Sequence, residues 1–181
     1  MQITVYSTLS IGVHDPFSDF ATGPYTLRQL IRCQQEFHGS PRYDWVVVYD
    51  LADKDFETRQ GIDRYLFAQV RLLFGIKHNE QAHYLAYLEW YDIVDVPGVK
   101  DANGRVKMVA RDPETQMAVA VRSGRFNVVS VSSIIRAVHM QPLFKERDSA
   151  RKAFVDKLGV YSFNSYFVNR FADRVSWEEL Y

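Results

Sequence analysis

The stretch FNVVSVSSIIRAVHMQPLF, residues 126–144, decides the fold class of this chain. It is rich in β-branched residues, which favour strands because a branched side chain packs well on a pleated surface. Pro142 ends the run. No nucleophile–base pair, metal-ligand cluster or glycine-rich phosphate loop lies in this stretch or near it. The clearest signal in the sequence is therefore architectural, and it favours a binding module over an enzyme.

The segments before this stretch also indicate strands. Residues 64–76 and 83–94 are predicted to form an antiparallel pair that is joined by the connection KHNEQ. Residues 1–13 alternate between apolar and polar side chains, and YDWVVVYDL at 43–51 is typical of a buried strand. Residues 26–37 fit either a helical stripe or a weaker strand alternation, so both assignments stay open.

After residue 144 the pattern changes and predicts helices. KERDSARKAFVDKLG at 145–159 places apolar residues on one side of a helix, and SWEELY at 176–181 has Ser176 as a helix cap. Aromatic residues in 163–171 also recur at helical spacings, although a strand is possible for SYFVNRF. We expect a mainly β fold with C-terminal helices (α+β), as a single domain over 1–181 with a small strand-rich barrel body at 1–144 and a helical extension at 145–181.

Composition narrows the class of protein further. Hydrophobic residues make up 47% of the chain, which is enough to build a core and argues against disorder. The 22 basic and 22 acidic residues cancel, so no global field draws the chain towards nucleic acid or anionic lipid. Cys33 is the only cysteine, which excludes an internal disulfide and fits a reducing compartment, nuclear or cytoplasmic. We expect no signal peptide, no membrane segment and no cofactor.

Three segments carry a resemblance to a known family. They are FHGSPRYDWVVV (37–48), SSIIRAVHMQPLF (132–144) and FNSYFVNRFADR (163–174). They resemble the accessory C-terminal domain of fungal transposon-derived proteins of the Plavaka and Kyakuja type, which are KDZ-related. The strand layout is in turn similar to that of bromo-adjacent homology (BAH) domains, small β-barrels of chromatin proteins. The resemblance implies a transposon-derived accessory domain whose partner is a histone tail or another protein.

The densest group of aromatic residues lies in 83–94. Aromatic faces attract quaternary ammonium groups, so several aromatics beside a carboxylate can form a cage for methyl-lysine. The alternative is that these side chains pack a core, with Tyr84, Ala86, Leu88 and Trp90 on the core-facing side of the strand. The residues predicted to bind a peptide or methyl-lysine are Tyr87, Glu89, Trp90, Tyr91 and Trp177.

Basic residues in the following segments suggest a second kind of surface. If they border one hairpin, they form a positive stripe that holds phosphates, and DNA becomes a possible partner. Interspersed acidic residues favour an ordinary exposed hairpin of mixed charge instead. The residues predicted for nucleic-acid contact are Lys100, Arg105, Lys107, Arg111, Arg122 and Arg125.

Other ionisable residues favour structural roles. The acidic run Asp50, Asp53, Asp55 and Glu57 is typical of a solvated loop rather than a metal site. His139 has no partner histidine at ligand spacing. The prediction is a non-enzymatic chromatin-binding or protein-binding module. The alternatives are a nucleic-acid-binding or metal-dependent nucleic-acid-processing fragment, and an oligomerisation scaffold of a transposase.

Overall fold

The structure is a computed structural model that describes residues 2–14, 26–49, 61–143, 163–169 and 172. No helix in this described part has the length and apolar character needed to cross a bilayer. Short 3-10 helices lie at Gly61–Arg64 and Val131–Ser133. The strands are β1 (Gln2–Tyr6), β2 (Thr8–His14), β3 (Thr26–Phe37), β4 (Ser40–Tyr43), β5 (Trp45–Val48), β6 (Leu66–His78), β7 (Gln81–Val94), β8 (Val96–Lys100), β9 (Val106–Val109), β10 (Ala118–Ser130), β11 (Ile134–Val138), β12 (Met140–Pro142) and β13 (Ser165–Val168).

The main sheet curves into a nearly closed barrel. Its strand order is β11-β5-β6-β7-β10-β13-β12, and the neighbouring strands pair antiparallel. The first and last strands of this path are consecutive in the chain, since only His139 separates β11 from β12. The His139 carbonyl also accepts a hydrogen bond from the Asn169 amide at 2.9 Å. The chain itself therefore brings the two ends of the sheet together.

Both faces of the barrel wall are covered, which explains the continuous apolar run in β5. Trp45 and Val47 point into the barrel, whereas Val46 and Val48 belong to a second core outside it. The inner core contains residues from seven strands: Trp45, Val47, Phe67, Tyr91, Ala118, Ala120, Val138, Met140, Tyr166 and Val168. In the outer core, Ile31 and Cys33 of β3 pack on Val46, Ala68, Val70, Ala86 and Leu88. The β2–β3 hairpin is thus a layer over the barrel wall.

The β6–β7 hairpin extends beyond the barrel. These strands have 13 and 14 residues, and Asn79 and Glu80 at the turn have φ angles of 47° and 64°. Positive φ at both central residues of a two-residue loop matches the right-handed twist of the paired strands. Next to β5, the strand β1 pairs with residues Leu73–Lys77 of β6. The hairpin therefore continues the barrel wall as an open sheet of β1, β6, β7 and β10.

The predicted mainly β fold with a barrel-like sheet is confirmed. The helical extension expected at 145–181 is wrong at Ser165–Val168, which forms β13, and the strand that was kept open for SYFVNRF is confirmed there. Tyr166 and Val168 enter the inner core while Phe167 packs outside with Met117 and Val119, and such two-sided burial suits a strand. The predicted helices at 145–159 and 176–181 lie outside the described residues. The apolar run at 126–138 is also two strands rather than one, since it turns at Val131–Ser133.

Candidate peptide-binding groove

The predicted aromatic residues of β7 do not converge on one cage. Successive side chains of a strand point to opposite faces, so Trp90 packs on the outer core while Tyr91 is buried inside the barrel. Tyr87 shares the inner side with Glu89, but it lies beyond the end of the barrel and stacks on Phe126, with ring centroids 5.5 Å apart. Trp177 lies outside the described residues. The Trp90 side of this strand faces a core at Ala86 and Leu88, as predicted, whereas Tyr84 is exposed and Tyr91 on the other side is buried as well.

Glu89 is the carboxylate predicted for the cage, and it is instead buried between two guanidinium groups. Arg71 Nε donates to Glu89 Oε2 at 2.9 Å, and Arg122 Nε lies 3.3 Å from Glu89 Oε1. The side chain of Glu89 is only 3% exposed, whereas those of Arg71 and Arg122 are 23% and 25% exposed. Arg71 lies where the pairing register of β6 with β7 shifts, between Val70 and Leu72. The two cations offset the cost of burying the carboxylate.

Two phenols lie beside this ion-paired group. Burial raises the pKa of Tyr91, and burial together with the neighbouring Tyr91 raises the pKa of Tyr166. Burial alone would lower the pKa of Arg122, but Tyr91 and Glu89 favour its charged form and raise it overall. Tyr166 donates to the Phe163 carbonyl at 2.9 Å. The raised pKa values keep both phenols protonated at neutral pH, and a phenol held protonated is a poor general base, so this cluster is a polar part of the core.

A groove of about 540 Å³ lies where β7 and β10 face the end of β5. Trp90 and Asp92 project from the same side of β7 into it, and Tyr49 borders it from the residue after β5. Arg125 and Val129 line the β10 side. We call this cavity the Trp90 groove. Its volume falls within the usual range for ligand-binding clefts, and it combines apolar and aromatic walls with one carboxylate and one guanidinium group.

A β-bulge in β10 positions the charged pair of the groove. The pairing of β10 with β7 shifts between Arg122 and Phe126, and Gly124 there has a φ of 72°, which favours glycine. The Ser123 hydroxyl donates to the Trp90 carbonyl at 2.9 Å and accepts from the Arg125 amide at 3.1 Å. Arg125 then contacts Asp92 through a guanidinium–carboxylate hydrogen bond. Both side chains of this pair are more than half exposed, so they remain available to a ligand.

The alternation of β7 could have indicated that Asp92, rather than Glu89, is the carboxylate beside Trp90 in the groove. Asp92 shares its side of the strand with Trp90, because the two residues are two positions apart. Glu89 shares its side with Tyr91 and therefore enters the barrel. Tyr49 was missed because nothing in its local sequence indicates that the residue after β5 borders the same groove as Trp90.

A second, smaller cavity of about 300 Å³ lies between the β1–β2 connection and the β6–β7 hairpin. Tyr6, Leu9, Leu73 and Tyr84 are among its lining residues, none of which is charged. Gly75 leaves room for the Tyr6 ring, since a Cβ at that position would lie 3.2 Å from it. This cavity lacks groups that would orient a ligand, so the Trp90 groove is the stronger candidate.

The structure separates the six basic residues predicted for nucleic-acid contact. Lys100, Arg105 and Lys107 are exposed on the β8–β9 hairpin, and Arg111 follows it. Asp101 organises the turn of this hairpin by accepting from the amides of Asn103 and Arg105, both at 2.8 Å. Arg122 contacts the buried Glu89, and Arg125 pairs with Asp92. The last two are therefore neutralised by carboxylates and do not extend a positive stripe.

The remaining chemical candidates give no further site in the described part of the chain. No group of three or more histidine, cysteine or acidic side chains there is arranged to hold a metal ion. The predicted acidic run at 50–57 lies outside the described residues. Arg136 is fully buried and donates to the Ala137 carbonyl at 3.3 Å, and Asp44 pairs with Arg42 at 3.2 Å.

Comparison with known proteins does not assign this chain to a family. No protein-family model, curated protein or solved structure matches it. The resemblance to transposon-derived accessory domains and the BAH-like layout therefore stay predictions from the sequence. The candidate site is defined by its geometry alone.

Proposed function

We propose that this protein is a non-enzymatic binding module that holds an extended peptide of a protein partner in the Trp90 groove. The observation that carries the proposal is the convergence of Trp90, Tyr49 and the Asp92–Arg125 pair on one cleft of about 540 Å³. A histone tail is the partner class that the sequence resemblance implies. A transposon-derived accessory domain acting on chromatin is consistent with this surface.

The chemistry of the groove suits a lysine side chain. Trp90 and Tyr49 supply aromatic faces, to which a methylated ammonium group is attracted by cation–π contact. Asp92 supplies a carboxylate on the same surface, and Arg125 is placed to donate to a peptide carbonyl. The charges of Asp92 and Arg125 cancel, so the groove favours a peptide over a polyanion such as DNA.

A histone-peptide array with the purified full chain tests this proposal. We expect retention of tail peptides that carry methylated lysine, and about fivefold weaker binding for Tyr49→Ala and for Asp92→Asn, since cation–π contact and charge are each worth about 1 kcal/mol. Tyr84→Ala is the matched control, because Tyr84 is an exposed tyrosine that does not line the groove. Equal losses in all three variants, or no retained peptide, would count against the groove.

A nucleic-acid-binding role is the second candidate, and one observation favours it. Lys100, Arg105 and Lys107 are exposed together on the β8–β9 hairpin. If this hairpin contacts phosphates, a DNA gel shift weakens steeply with salt and is reduced by Lys107→Ala. Binding that is unchanged in that variant would remove this candidate. The Trp90 groove carries more converging groups, so peptide binding is the leading proposal.

A further inference from the structure

In the described part of the chain, the second half of strand β10 has one edge without a pairing strand. Its first residues, Ala118–Val121, pair with β13, but Phe126–Ser130 pair only with β7 among the residues that the structure describes. The Val128 N–H donates a hydrogen bond to Asn127 Oδ1 at 2.8 Å, so this N–H points away from β7. Main-chain groups alternate along a strand, so those of Phe126 and Ser130 face outward as well. We call Phe126–Ser130 the β10 edge.

The sequence of the β10 edge lacks the residues that usually protect an edge strand. Natural edge strands carry lysine or proline, or are covered, because unpaired main-chain groups bind other strands. The sequence of this edge, FNVVS, contains neither charge nor proline. Phe126 is 48% exposed and Val128 is 46% exposed, and both lie on the side of the sheet that carries Tyr87. An uncharged edge with exposed apolar side chains is suited to pairing with another strand.

We propose that two copies of this chain pair antiparallel through their β10 edges, about a two-fold axis at Val128. In that register Val128 of one copy exchanges main-chain hydrogen bonds with Val128 of the other. The Val128 N–H, which donates to the Asn127 side chain in the single copy, then donates to the partner strand. Phe126 then lies opposite Ser130, which places a large side chain beside a small one. The arrangement is isologous, so the same patch serves both copies.

The β10 edge is complementary to itself in this register, because Phe126 lies opposite Ser130 and no charges oppose each other. Opposed like charges weaken a strand pair, and no charged residue falls within the paired stretch. The whole chain has a formal net charge of +0, so two copies approach each other without mutual repulsion. The pairing would join the two sheets into one and cover part of Phe126 and Val128. It would also place both Trp90 grooves on the same side of the dimer, because the two-fold axis is perpendicular to the sheet.

Sedimentation equilibrium of the full chain tests the dimer. We expect wild type to dimerise, and Val128→Lys to raise the dissociation constant about tenfold or more, because two lysines then face each other across the axis. Val106→Lys is the matched control, since Val106 is 45% exposed on β9, away from the β10 edge. Asn127→Ala is expected to strengthen the dimer because it removes the competing acceptor. A wild-type chain that stays monomeric, or equal effects of the two lysine variants, would overturn the proposal.

Amide hydrogen exchange of the wild-type chain gives a second readout that does not depend on a variant folding correctly. The amides of Phe126 and Ser130 should be protected at high protein concentration and exchange faster on dilution. Protection that does not change with concentration would overturn the pairing. Peptide binding in the Trp90 groove is measured separately, so either proposal can fail without the other.

Discussion

At the scale of single residues, burial of charge distinguishes Glu89 from Asp92. Glu89 points into the barrel, where Arg71 and Arg122 offset the cost of its desolvation. Asp92 lies on the other side of β7, where solvent screens its contact with Arg125. Alternation along β7 places the two carboxylates on opposite sides of the strand, and their arginine partners, which are distant in the chain, determine how each charge is compensated.

Substitution of Glu89 by glutamine should therefore destabilise the fold. Removing the carboxylate leaves Arg71 and Arg122 as adjacent cations at the barrel interior, so we expect a loss of about 2–4 kcal/mol in the free energy of unfolding. Asp92→Asn is the matched control and should change it by less than about 0.5 kcal/mol, since exposed ion pairs contribute little. Urea denaturation measures both. Similar losses for the two variants would contradict the asymmetry of burial.

At the scale of elements, alternation and turns could be predicted while long-range pairing could not. The β6–β7 hairpin follows from two apolar runs around a short polar connection, and the structure confirms it. The assignment of β3 stayed open between helix and strand, because its helical and alternating patterns are both incomplete. Pairing with the strands β2 and β4 decides it. For β13, aromatic spacing indicated a helix, but the gap between β10 and β12 offers main-chain partners only to a strand.

The packing of the β2–β3 layer on the barrel can be tested through Cys33. This thiol lies in the outer core, and burial raises its pKa to about 11. Because a raised pKa keeps the thiol protonated at neutral pH, Cys33 should react very slowly with Ellman's reagent at pH 8, and its rate should rise only as pH approaches 11. The unfolded chain in urea, with a normal thiol, is the control. If the reaction rate of the folded chain reached half its maximum at the same pH as that of the unfolded control, the β2–β3 layer would not bury Cys33.

At the scale of the whole molecule, closure of the barrel depends on a connection of one residue. His139 joins the first and last strands of the sheet path, so the apolar stretch that predicts strands also closes the barrel. The sequence indicates the strand content of this region but not the closure, because pairing of β11 with β5 and of β12 with β13 joins distant segments. The same arrangement brings Tyr49, Trp90 and Arg125 to one groove, although each comes from a different part of the chain.

Binding of a peptide in the Trp90 groove is tested most directly by observing the Trp90 indole. A titration of the ¹⁵N-labelled chain with a trimethyl-lysine histone-tail peptide should shift the Trp90 indole N–H signal, assigned by its loss in Trp90→Phe. The signal of Trp45, which is buried in the inner core, should stay in place. Saturable movement of the Trp90 signal is the result that the structure predicts. A Trp90 signal that does not move while the protein binds the peptide would contradict binding in the groove, as would the absence of any binding.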